Sequence, residues 1–253
     1  ERLVEWKDLR FEDERARQRH PLLLAAGELV RLPAAVAGET DELLDDHASW
    51  YLALAQQARP ELHAFRASSA FDRVEAEHAN LQPVLERAYE RLDARVALQL
   101  SGSVWPLWDT RGYWTEGRRL LEAALSLPDS VDPDDRVDVL IGAAHLALWQ
   151  SDIATATAHC TTLLELARRH GNLRGEAYAL ELGAIAANKT GERLKARSLF
   201  EQALPLARKA GEKRLGSNFG RRNVDIAALD QNFTTDLENG RSTYRLGAGT
   251  SCS

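Results

Sequence analysis

A chain of 253 residues, 44% hydrophobic and 28% charged, has the make-up of a folded globular protein with a sizeable core, in one extended or two compact domains, and not of a disordered polypeptide. Its formal net charge of −6 argues against a dedicated DNA or RNA surface, which needs clustered Lys and Arg in excess. With no run of 18 apolar residues and no basic-then-apolar leader, the sequence reads as cytoplasmic and without a membrane span.

The two cysteines, Cys160 and Cys252, lack metal-ligand spacing, and Cys160 falls on an apolar helical face, as a reduced buried thiol does. The chain starts at Glu1 and holds no Met, which reads as a fragment or processed form of a longer protein. Arg outnumbers Lys throughout, a pattern we take as coding bias and not as a phosphate-binding signal.

Residues 1–38 are expected to form an N-terminal helical segment of one or two helices. Residues 12–19 are densely charged, Pro21 interrupts, and the apolar run 22–32 is closed by Pro33. Arg10, Arg15, Arg17 and Arg19 suggest a basic arm, but Glu12, Asp13 and Glu14 offset it and favour a solvated helix face. From Thr40, a capping residue followed by Asp41 and Glu42, a stripe of Leu43, Leu44, His47, Tyr51, Leu54 and Ala55 predicts a helix ending at Pro60. Phe71, Val74, His78, Leu81 and Leu85 predict further helix toward Arg91, with a break near Asn80. Residues 39–93 thus read as a helical region leading into a set of repeats. His47 and His78 stand in no metal-ligand spacing and read as packed histidines.

Residues 94–213 carry an internal repeat. Leu140, Ala144, Ala147, Ala156, Leu164, Leu166, Ala167, Arg168 and Gly171 recur forty positions on as Leu180, Ala184, Ala187, Ala196, Leu204, Leu206, Ala207, Arg208 and Gly211. A fixed period with small residues at set places marks stacked helix pairs, each burying its apolar face on the next. Residues 94–127 read as a degenerate first copy: Gly112 takes the place of Ser151 and Gly191 at the interhelix turn, Gly117 that of Ala156 and Ala196, and Leu121 that of Cys160 and Phe200. Small residues after the turn are required because two antiparallel helices cross there with little room. Pro128 and Pro133 bracket an acidic loop between copies. Residues 214–253 depart from the period: a short capping helix is expected at 223–229, and the remainder, rich in Gly, Ser, Thr and Asn, should be irregular.

The small–turn–small–aromatic–small order of Ala184, Gly191, Ala196, Phe200 and Ala203 resembles tetratricopeptide repeats. The copies are longer than the usual unit, with second helices ending in Leu166-Ala-Arg-Arg-His-Gly171 and Leu206-Ala-Arg-Lys-Ala-Gly211. This variety, the region 39–55, the junction-like run at 71–81 and the run at 112–125 are similar to the repeat region of bacterial STAND and LuxR-like transcriptional regulators, over about residues 38–212. The resemblance implies an all-α, right-handed α-α superhelix that senses an inducer or holds a partner protein beside an ATPase or DNA-binding domain. No G-x-x-x-x-G-K-[ST] loop occurs, so this stretch by itself is expected neither to hydrolyse ATP nor to read DNA.

In tetratricopeptide repeats the first helices line a concave surface, at places that here fall on Gln99, Gly102, Pro106 and Asp109, then on Asp138, Ile141, His145, Leu148 and Trp149, then on Tyr178, Glu181, Ile185, Asn188 and Lys189. A peptide or small inducer there is expected to touch His145, Trp149, Tyr178, Glu181, Asn188 and Lys189; Trp149 and Tyr178 also read as interhelix packing. The Lys and Asn clamp for a C-terminal carboxylate is missing, since Gly102, Ile141 and Glu181 occupy its starting places. A second candidate patch gathers Trp105, Trp108, Tyr113 and Trp114 with Arg118 and Arg119, where stacked rings beside guanidinium groups bind sugars, bases or anions. Trp105 and Trp108, at i and i+3, read first as core, each burying on the order of 150–250 Å². No nucleophile turn, metal-ligand set or cofactor motif is present, and the pairs Asp45–Asp46 and Asp134–Asp135 suit surface or capping positions, so no catalysis is expected. Alternative readings are a stand-alone scaffold holding a protein partner and, more weakly, an enzyme using the groove.

Overall fold

The computed structural model describes residues 37–64, 69–128, 132–211, 233–238 and 241–246. The expectations for residues 1–36 and for a capping helix at 223–229 lie outside them. Nine helices occur among the described residues: α1 (Ala37–His63), α2 (Ser69–Ala76), α3 (His78–Glu90), α4 (Ala94–Arg111), α5 (Trp114–Leu125), α6 (Pro133–Trp149), α7 (Ile153–His170), α8 (Leu173–Lys189) and α9 (Arg193–Lys209). Helices adjacent in sequence pack on one another from α3 to α9; in addition α4 packs on α6, α6 on α8, and α1 lies along α4. This packing in sequence order is compatible with a helical repeat whose pairs are α4–α5, α6–α7 and α8–α9.

Three predicted boundaries move. Helix α1 begins at Ala37, so Thr40 lies in its first turn and is not the cap. It also runs through Pro60 to His63: the proline forfeits one backbone bond, but Ala58 and Leu62 on either side are fully buried, and Ala64 N–H closes the last turn on the Pro60 carbonyl at 3.2 Å. The break expected near Asn80 falls at Glu77, whose carboxylate accepts hydrogen bonds from Tyr51 Oη at 3.0 Å and Asn80 Nδ2 at 2.9 Å and so ties the junction to α1.

One turn design recurs between helices. Leu92, Gly112, Ser151, Gly171, Gly191 and Gly211 all have positive φ, from 56° to 84°. At four of these junctions the next N–H reaches back five residues to an alanine carbonyl: Asp93 to Ala88, Asp152 to Ala147, Asn172 to Ala167 and Glu192 to Ala187, at 2.8–2.9 Å. Asp93, Asp152 and Asn172 then cap the following helix, accepting from the N–H groups of Val96, Thr155 and Gly175. One short segment therefore closes one helix and opens the next, and the chain reverses in two residues. The same geometry at Leu92 shows that the pattern of the repeats already governs the entry to α4.

The core is fitted around two tryptophans of α4. A Cβ built on Gly142 of α6 would stand 2.6 Å from Trp105 Cγ, and one on Gly117 of α5 would stand 2.7 Å from Trp108 Cβ. Each glycine is the space into which an indole packs, so the small residue that the repeat requires at 117 has a specific occupant. Gly142→Ala is expected to cost about 1–3 kcal/mol through overpacking, seen as a lower denaturation midpoint at unchanged slope. A midpoint equal to that of the unsubstituted chain would mean the indole shifts freely.

The C-terminal expectation is corrected. Phe233–Glu238 and Arg241–Leu246 are antiparallel strands β1 and β2, paired in register from Phe233 with Leu246 to Glu238 with Arg241. Asn239-Gly240 between them is the strongest short-range hairpin signal a sequence carries. A search for helical period alone passes over it.

Candidate functional site

The face lined by α4, α6 and α8 is not open along its whole length, because the C-terminal half of α1 covers part of it. Gln56, Arg59 and His63, spaced along one helical face, meet residues of α4 and α6 expected to line a concave surface. Gln56 Nε2 donates to Gln99 Oε1 at 3.2 Å, and Gln99 Nε2 donates to Asp135 Oδ2 at 2.8 Å. Arg59 and Arg174 both donate to the carboxylate of Asp138, one to each oxygen. His63 Nε2 lies 3.0 Å from the Gly102 carbonyl. That carbonyl would take its hydrogen bond from residue 106 in a regular helix, and residue 106 is a proline without an N–H. His63 supplies the missing donor, which makes Nδ1 the acceptor facing Arg174 Nη2 at 3.3 Å.

Asp138 is buried, with 4% of its surface exposed, and two guanidinium groups match its charge. Burial works to raise its carboxyl, but the attraction of Arg174, His63 and Arg59 outweighs it and holds the group below its ordinary value. Burial dominates at His63: removal from water, opposed by Asp138 and assisted by the two arginines, brings its pKa down to about 4, so the ring is neutral near pH 7. Asp135 is raised by its own burial, with Asp132 and Asp138 adding to the effect. The guanidinium of Arg174 also lies 5.2 Å from the centre of the Tyr178 ring. Of the residues expected to contact a ligand, Tyr178, beside Arg174, and Glu181 are both buried, 7% and 4% exposed.

Beyond α1, at the C-terminal ends of the same helices, side chains form a strip toward the turn edge. His145 Nε2 lies 3.2 Å from Asp109 Oδ2, and its ring is 5.2 Å from Trp105 and 5.0 Å from Trp149. Trp149 is 42% exposed, and the ammonium of Lys189 stands 5.6 Å from its ring centre. On the other side Trp114, 39% exposed, donates Nε1–H to the Asp109 carbonyl at 2.9 Å. The strip therefore brings His145, Trp149 and Lys189 together, with Asn188 half-buried in the same last turn of α8. It presents two exposed indoles held by internal partners, with a cation at one end.

The second patch does not form one surface. Trp105 and Trp108 are core residues at 1% exposure, Tyr113 is half-buried, and Trp114 reaches solvent. Arg118 is engaged with Gln150, Glu122 and Asp152, whose carboxyl the Arg118 hydrogen bond brings down to about 2. Arg119 faces Glu86 at 3.8 Å. The two guanidinium groups are spent on different neighbours because successive residues of a helix point about a hundred degrees apart. His78 stacks on Tyr113 at 4.3 Å, His47 packs edge-on against Tyr51, and burial pushes the Cys160 thiol up to about 12, as expected of packed groups.

Sequence reasoning misses Arg59, His63 and Arg174. Nothing local marks them: His63 and Arg174 are 111 residues apart, and only the placement of α1 joins them. Pro106, inside a predicted helix, is the one visible sign that a carbonyl needs an outside donor. Among the described residues no group of His, Cys, Asp and Glu could hold a metal ion, and no helix is long and apolar enough to cross a membrane. The chain matches no protein-family model and no curated protein.

Proposed function

We propose that this chain is the ligand-sensing or partner-binding repeat region of a bacterial transcriptional or signal-transduction regulator of the STAND or LuxR-like type, with a right-handed superhelix, cytoplasmic and without catalysis of its own. The observation that carries the reading is the strip of Trp114, Asp109, His145, Trp149 and Lys189. Large exposed indoles are costly to leave in water, and here they are pinned by neighbours rather than folded away. Such preorganised rings lose little freedom when an occupant arrives. Because the strip draws on α4, α5, α6 and α8, an occupant biases how successive pairs sit on one another, by no more than its preference between the two arrangements.

The test is a thermal-shift series against metabolites, oligosaccharides and nucleotides, run on the chain and on Trp149→Ala combined with Lys189→Ala. A small molecule that raises Tm in the chain and not in the double variant is expected. A hit that persists in the double variant places binding elsewhere. Stabilisation by a protein partner alone favours the scaffold reading of the same strip.

A further inference from the structure

The opposite end of α6 carries a feature that this function does not use. A cleft of about 380 Å³ lies between the N-terminal turn of α6 and the C-terminal half of α7. Its apolar lining is Leu98 of α4, Leu166 and Pro133, beside Thr162. Its walls are charged with both signs. Arg136 is fixed there, donating to the carbonyls of Leu125 at 2.9 Å and Leu127 at 2.7 Å. Arg169 and His170 line the cleft from the last turn of α7, and Glu165 lies one turn earlier.

Glu165 and Arg169 are at i and i+4 of one helix, where opposite charges ordinarily pair. They do not pair here. The side chains of Glu165, Arg169 and His170 make no hydrogen bond or ion pair with any described residue, although each lines the cleft. Phosphate suits this arrangement poorly, because Glu165 places a carboxylate beside the cations and repels a dianion. A ligand with one carboxylate and one ammonium satisfies every wall. Its volume class is that of a small metabolite, at the low end of ligand pockets.

The geometry points to a binding site for a free α-amino acid with an apolar side chain: the carboxylate meets Arg136, Arg169 and His170, the ammonium meets Glu165, and the side chain rests on Leu98, Leu166 and Pro133. The site lies about 24 Å along α6 from the indole strip, at 1.5 Å per residue, so it stands or falls apart from the proposed function.

The experiment is calorimetric titration of the full chain with L-leucine, N-acetyl-L-leucine, L-leucinamide and inorganic phosphate. L-Leucine binds, and loss of either charge weakens binding by about threefold, as expected for charge contacts made by exposed side chains. Glu165→Gln removes the preference for leucine over its N-acetyl form, and Arg169→Gln removes the preference over the amide. Both positions are exposed, so circular dichroism of each variant should match the parent. No heat from leucine at about 20 mM, well above the millimolar affinity of a weak small-molecule site, overturns the assignment. Equal binding of the three leucine compounds, or binding of phosphate alone, overturns it too.

Discussion

Asp138→Asn is expected to lower the unfolding free energy by about 3 kcal/mol, the low end of what breaking a buried ion pair costs. The carboxylate is nearly inaccessible and receives one guanidinium on each oxygen, so the amide leaves two cations facing a neutral group. Two features keep the figure from being larger. The Arg59 side chain is 46% exposed and can turn to water, and the Asn oxygen still accepts one hydrogen bond. Arg174, whose side chain is 24% exposed, and His63 bear most of the loss. Arg59→Gln, by contrast, should cost about 1 kcal/mol or less, since its charge is half in solvent. Urea denaturation of both variants separates the cases. An Asp138→Asn chain within about 1 kcal/mol of the parent would show that the cluster orients α1 without stabilising it.

Stability should fall as the solution is acidified from about pH 6.5 to about pH 4, and His63 is the main reason. In the unfolded chain an ordinary histidine takes up its proton near pH 6.5, whereas in the fold His63 resists until about pH 4. Between these values the unfolded state binds more protons, so acid draws the chain toward it, by about 3 kcal/mol across the window. His47, also lowered by burial, adds a slope of the same sign. Asp138, held below its ordinary value, loses its contribution only at lower pH, when it protonates in the fold. Asp135 acts in the opposite sense, because its raised carboxyl takes up a proton more readily folded than unfolded. Denaturation at about pH 7 and about pH 4.5, on either side of most of that window, measures the fall, and His63→Gln should flatten it by up to one proton. Equal slopes in the two chains would mean that His63 is charged in the fold.

The two effects meet at one cluster, and that cluster explains why the groove is only half legible in the sequence. Concave positions follow from the premise that first helices of stacked pairs are open on one side. For His145, Trp149 and Lys189, near the C-terminal ends of α6 and α8, the structure places the side chains in one strip beyond α1. For Gly102 and Asp138 the surface is closed, because α1 and its polar line of Gln56, Arg59 and His63 lie across that end. Repeat arithmetic describes how identical units stack. It is silent about a non-repeating helix that packs on them.

Local chemistry determined much of this protein without help from tertiary structure. The helical periods, the capping residues Asp93, Asp152 and Asn172, the left-handed turns at Gly112, Gly171 and Gly191 and the Asn-Gly between two strands are each set by residues within about five positions of one another, the reach of a helix turn and its cap. Only the tertiary structure decided that α1 continues past Pro60, that Gly142 and Gly117 are the spaces filled by Trp105 and Trp108, and that Arg59, His63, Asp138 and Arg174 converge. Hydrogen bonds and dihedral preferences act over one turn and can be read from neighbours. Burial and ion pairing act between segments brought together by packing, and their partners have no fixed distance along the chain.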